Sequence, residues 1–115
     1  MSDRCVFCRI VAGDLEADIV YSSEQVVAFR DIHPQAPVHV QVIPRRHVKD
    51  ASELDEVDAS MLGEIFAAAR EVAGQQGIAG SGYRLVFNVG RDASNTIPHL
   101  HLHVLGGRAL GWPPG

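Results

Sequence analysis

His99-Leu100-His101-Leu102-His103-Val104-Leu105 alternates imidazoles with apolar side chains over its whole length. Such alternation predicts a half-buried β-strand over 99–105. His99, His101 and His103 would share one face, and Leu100, Leu102 and Val104 the other. A single histidine on a sheet is ordinarily a satisfied or solvated polar residue, but three in register call for a chemical reason. At about 3.3 Å per residue the outer two stand about 13 Å apart, too far to share one zinc with bonds of about 2 Å. The row therefore points to a division of labour among nucleophile, phosphate partner and ligand to a group elsewhere.

The surrounding chain bounds that chemistry. With 115 residues and 46% hydrophobic content it predicts one domain, 1–115, able to bury a core without staples. A net charge of −4 leaves no basic face for a phosphate backbone, so nucleic acid is excluded as a partner and any phosphate handled belongs to a small molecule. No apolar run reaches membrane-spanning length and the first residues lack the layout of a signal peptide, so the expected setting is cytoplasmic with no membrane partner. Both cysteines sit in one C-x-x-C, Cys5 to Cys8, which in a reduced compartment suggests metal or redox work. A thioredoxin-type motif follows a strand, and four preceding residues leave no room for one.

Residues 4–12 carry Val6, Phe7, Ile10 and Val11 at helical spacing, ended by Gly13. Residues 18–22 and 25–30 read as a hairpin around Ser23-Glu24. Residues 31–37 hold two prolines and read as a loop. Residues 38–43 alternate again, with Val38, Val40 and Val42 opposed to His39, Gln41 and Ile43. Leu62, Ile65, Phe66, Ala69, Val72 and Ala73 mark a long amphipathic helix from Ala59, broken by glycines from Gly74 onward. Tyr83 to Val89 returns as a strand, and Gly90 to Thr96 is a polar loop feeding the histidines. The sum is an α+β fold: about five antiparallel strands and two helices on one face of the sheet.

These residues resemble the signature of the histidine triad (HIT) proteins, nucleotidyl hydrolases and transferases. The match extends through Phe29 to His39, Ile43-Pro44-Arg45-Arg46-His47, Asn88-Val89-Gly90, Gly106-Gly107-Arg108 and Trp112-Pro113-Pro114-Gly115, in the family's order and spacing. The two C-terminal motifs are most similar to the Hint branch, the purine nucleoside phosphoramidases. The resemblance implies that His101 is the nucleophile on the α-phosphorus of a nucleoside 5′-phosphoramidate. His103, Asn88 and Thr96 would bind phosphate oxygens or the leaving group. It further implies that Asp31 takes the ribose hydroxyls, that Phe7, Ile10, Leu15, Phe29 and Ile32 sandwich the base, and that His39 lines the same region. The chain differs from the family pattern at Asn95 (often Gln), Thr96 (commonly Ser) and Gln41 (apolar in some relatives).

Zinc-containing relatives use a C-x-x-C with two histidines, here Cys5, Cys8, His47 and His99. Two thiolates and two imidazoles form a closed tetrahedral set of the structural kind. The alternative is that both cysteines are simply small buried residues of the first helix. The resemblance also implies a homodimer with the two sheets joined into one, the C-terminal tail 108–115 reaching the neighbouring site. Other readings stay open: a dinucleoside polyphosphate hydrolase or nucleotidyltransferase of the same family, a non-catalytic nucleotide-binding interaction module, or a hydrolase using His101 and His103 as metal ligands.

Overall fold

A computed structural model of the protein describes residues 5–115. Two helices, α1 (Val6–Ala12) and α2 (Ala59–Gln75), accompany five strands: β1 (Ile19–Ser22), β2 (Val26–Arg30), β3 (Val38–Pro44), β4 (Tyr83–Phe87) and β5 (Leu102–Gly106). They form a single antiparallel sheet in the order β1-β2-β3-β5-β4. The last strand in sequence thus inserts between β3 and β4, which carries the histidine segment into the middle of the sheet. Among the described residues no helix is long and apolar enough to cross a membrane.

Cys5 is the N-cap of α1, its sulfur accepting the Cys8 N–H, and Gly13 closes the helix at φ 81°. That left-handed conformation costs glycine nothing and other residues about a kcal/mol or more. Arg4, at the start of the predicted helix, lies outside the described residues.

The strand pleat divides the apolar residues between two layers. Val26 and Ala28 of β2, Val40 and Val42 of β3, and Leu102 and Val104 of β5 pack on the inner stripe of α2, Met61, Ile65, Ala68, Ala69 and Val72. The alternate positions, Val27, Phe29 and Ile43, pack with Phe7, Cys5 and Cys8 on the opposite face. The helices therefore cover opposite faces of the sheet, not one face as the connection lengths suggest. A strand buried on both sides, such as Val26 to Phe29, offers surface to both layers.

The strand predicted over 99–105 is shorter: it begins only at Leu102. Its last partners are Val42 on β3 and Phe87 on β4. The next hydrogen-bonded position along β3 is Pro44, which has no N–H to donate, and its carbonyl accepts the His99 Nε2–H at 2.9 Å instead. His99 and His101 consequently precede the strand, and the regular row does not form. Past the other end of β5, a Cβ at Gly107 would stand 2.9 Å from Pro37 Cβ, and Gly107 has φ 91°. Only glycine lets the chain leave the sheet against the 31–37 loop at that point.

Candidate functional site

A cavity of about 480 Å³ opens on the α1 side of the sheet, a size suited to a small-molecule ligand. Its apolar wall comes from Val6, Phe7, Ile10, Leu15, Phe29 and Ile32. Its polar end is formed by Asp31, Gln41, Asn88, Thr96, His101 and His103. Of the residues singled out in the sequence as nucleotide contacts, all but His39 line this cavity. Ser94 and Ile97, not singled out, do so as well. Ser94 adopts φ 62°, a conformation only the folded loop reveals. Asn95 instead faces an adjoining cavity of about 410 Å³ that shares Ser94, Thr96 and Ile97 with the first.

His101 is 8% exposed, and its Nδ1 lies 2.7 Å from the His99 carbonyl oxygen. A carbonyl can only accept, so the proton of the neutral ring resides on Nδ1 and Nε2 carries the lone pair. The ring is held edge-on between Phe7, at a centroid distance of 5.3 Å, and His103, at 4.9 Å. The geometry thus presents an oriented nucleophilic nitrogen at the polar end of an apolar pocket.

His39 stands behind His103, outside the cavity wall. The backbone N–H of Gln35 donates to His39 Nδ1 at 3.0 Å, so the ring proton is on Nε2. That nitrogen lies 2.8 Å from His103 Nδ1 and 3.3 Å from Asp31 Oδ2. Donation to His103 Nδ1 leaves His103 with its own proton on Nε2. His103 is in this way set as a donor and His101 as a lone-pair nitrogen, two residues apart. Gln41, at a position apolar in some relatives, donates its amide to Asp31 Oδ2 at 2.7 Å, while Asp31 Oδ1 caps the His33 N–H at 2.8 Å. The carboxylate is thereby fixed at the rim.

On the other side of Phe7 a second cluster forms. Cys5 Sγ is 3.3 Å and Cys8 Sγ 3.5 Å from His99 Nδ1, and Cys8 Sγ is 3.2 Å from His47 Nδ1. All four ligand atoms lie within 4.8 Å of one another. Zinc bonds of about 2.3 Å to sulfur and 2.0–2.1 Å to nitrogen would set sulfur and nitrogen about 3.5 Å apart on a tetrahedron, so small shifts would admit the ion. The tautomer also suits: His99 donates Nε2–H to Pro44, freeing Nδ1 to ligate, the outer-sphere arrangement that orients metal-binding imidazoles. The four residues predicted from the resemblance are those that the fold gathers, and they could bind a metal.

Burial holds His103 down to about 4 from the ordinary 6.5, with the neighbouring His101 and His39 rings adding to the effect. His39 is also lowered, by burial against the raising influence of Asp31. A ring that resists protonation when folded contributes stability above the unfolded value and loses it as pH falls. Denaturant midpoints should therefore decline as pH drops from about 6.5 towards about 4. His103→Asn should make that decline shallower, and an unchanged slope would contradict the neutral ring.

The HIT domain profile matches residues 12–110 of the chain. An uncharacterised HIT-like protein of Synechococcus elongatus is 42% identical over the full 115 residues of both chains. The crystal structure of a HIT family hydrolase from Legionella pneumophila superposes with a TM-score of 0.95 at 41% identity, covering 97% of this chain and 100% of that one. A HIT family hydrolase from Clostridium thermocellum gives 0.94 at 45% identity and 96% coverage of both. With its histidines held in the sheet centre beside an apolar cavity, this chain belongs to the HIT family.

Proposed function

We propose that the protein is a hydrolase that cleaves the P–N bond of purine nucleoside 5′-phosphoramidates through a nucleotidyl-His101 intermediate. The observation that carries this reading is the 2.7 Å contact between His101 Nδ1 and the His99 carbonyl, which commits the Nδ1–H and leaves Nε2 free for attack. Attack on the α-phosphorus forms the His101 Nε2–P bond and breaks the P–N bond, the amine leaving with a proton taken up from solvent that the following hydrolysis returns. Water then cleaves the imidazole–phosphorus bond, giving the nucleoside monophosphate and the free enzyme. Two easier steps replace one difficult one.

The His103 Nε2–H, the Thr96 hydroxyl and the Asn88 amide serve as fixed donors to the phosphoryl oxygens, and such preorganised donors are often the largest catalytic factor. Asp31 takes the ribose hydroxyls, and Phe7, Ile10, Leu15, Phe29 and Ile32 enclose the base. Zinc is the group we assign to Cys5, Cys8, His47 and His99. Held there, it would supply a closed structural crosslink between α1, the segment after β3 and the entry to β5. A homodimer is supported by β4, an edge strand with Tyr83 and Leu85 partly exposed, and by Phe66 and Trp112 at 43% and 83% exposure. A partner copy would cover these residues and bring its C-terminal tail near the cavity.

His101→Ala should lose turnover of an adenosine phosphoramidate by several orders of magnitude while still binding AMP, because the pocket survives the loss of the nucleophile. Retention of near-normal rates would refute the covalent route. Elemental analysis of protein purified without added metal should find about one zinc per chain, and Cys5→Ser should lower the melting temperature. Absence of zinc together with an unchanged melting temperature would remove the metal from the account. Solution mass should correspond to a dimer, and a monomer would exclude the shared tail.

A further inference from the structure

Arg108 begins the C-terminal tail and touches neither the cavity nor the metal ligands. Its Nη2 donates to the Gln35 carbonyl at 3.0 Å, and its Nη1 to the Ala109 carbonyl at 3.0 Å. Gln35 is the residue whose own N–H reaches His39 Nδ1. Beyond the Asp31 N–H bond to the His39 carbonyl at 2.9 Å, which continues the β2–β3 pairing by one residue, the loop bearing it, with Pro34 and Pro37, is held by a handful of further contacts. These are the Asp31 cap on the His33 N–H, the Gln35 amide on the His33 carbonyl at 3.0 Å, the Arg108 guanidinium, and Gly107 backing against Pro37.

The contact matters because of what lies downstream. If the Gln35 N–H withdraws, His39 can carry its proton on Nδ1 and turn a lone pair towards His103 Nδ1. His103 would then hold its proton on Nδ1, and its Nε2 would face the cavity as an acceptor. An acceptor there repels a phosphoryl oxygen that a donor would stabilise. Both rings stay neutral near pH 7, since burial lowers them, so the choice between tautomers is a real one. The Asp31 carboxylate, 3.3 Å from His39 Nε2, favours the Nε2–H form, and the Gln35 N–H on Nδ1 is the second hold that selects it.

We propose that Arg108 is a positioning residue: by holding the Gln35 carbonyl it keeps the Gln35 N–H on His39 Nδ1, and so keeps His103 an Nε2–H donor to the transferring phosphoryl group. The kinetic part of this proposal rests on the hydrolase reading above, and the tautomer part does not.

The test uses the full-length protein and its Arg108→Gln and Arg108→Lys variants. Nitrogen-15 NMR of the ring nitrogens should show His39 and His103 as single Nε2–H tautomers in the parent. Arg108→Gln should give averaged shifts for both rings, and Arg108→Lys, which keeps a donor and a charge, should restore most of the parent pattern. In turnover, Arg108→Gln should lower kcat about tenfold with little change in KM, since the donor is present only part of the time. The loss should be equal across a panel of amine leaving groups. Unchanged ring-nitrogen shifts in Arg108→Gln would overturn the proposal. So would a rate loss confined to particular leaving groups, which would mark Arg108 as a leaving-group contact. If the parent turns over no phosphoramidate, the hydrolase reading fails and the NMR comparison still decides the role of Arg108.

Discussion

A neutral imidazole has one proton to give, and the architecture around the sheet centre follows from where each histidine spends it. His99 gives its Nε2–H to the Pro44 carbonyl, His101 its Nδ1–H to the His99 carbonyl, and His39 its Nε2–H towards His103. Each donation leaves the opposite nitrogen with a defined character. His99 Nδ1 faces two thiols, His101 Nε2 is open for attack, and His103 Nε2 is a donor. Buried polar groups must be paired or cost roughly 1–3 kcal/mol each, so the same bonds that make these rings tolerable inside the protein also assign their chemistry.

Pro44 is the hinge of that arrangement. Because proline cannot donate, the β3–β5 ladder has no partner there, and the chain from His99 to His101 is released from strand geometry. Release allows the His99 ring to turn towards α1 while its carbonyl turns to the His101 ring. A regular strand would have kept the three rings in a row about 6.6 Å apart, whereas His101 and His103 close to a centroid distance of 4.9 Å. His99, turned to the two cysteines, and His101, turned to the cavity, are thus separated by the edge of Phe7, which contacts both rings.

The two faces of the sheet perform different tasks for a related reason. The α2 side is a dry aliphatic layer in which Val40, Val42, Ile65, Val72 and Val104 are fully buried, and it supplies most of the apolar burial that drives folding. The α1 side carries fewer apolar residues, and the short helix covers only part of it. The uncovered remainder is the cavity. A helix of seven residues would be marginal alone, and its N-cap sulfur contact, its αL cap at Gly13 and the packing of Phe7 hold it in place.

Much of this was legible in the residues themselves. Period-two alternation at 38–43 and 83–87, the apolar run at 25–30 beside the Ser23-Glu24 turn, and the apolar stripe of α2 specify strands and helix through local sequence, which depends only on the neighbouring residues. The polar constellation of His101, His103, Asp31, Asn88 and Thr96, and the set Cys5, Cys8, His47 and His99, were named through the resemblance of the chain's motifs to the HIT signature. What the chain alone did not settle were relations between segments distant in sequence. The placing of α1 across the sheet from α2 depends on which strand positions are buried on both sides. The early end of β5 depends on Pro44 arriving opposite Leu100. The roles of Gln35 and Gln41 depend on a loop and a strand meeting His39 and Asp31 in space. Local pattern fixes where a side chain points within its own element; which ring nitrogen keeps its proton is decided only when the elements have packed and each donor has met its acceptor.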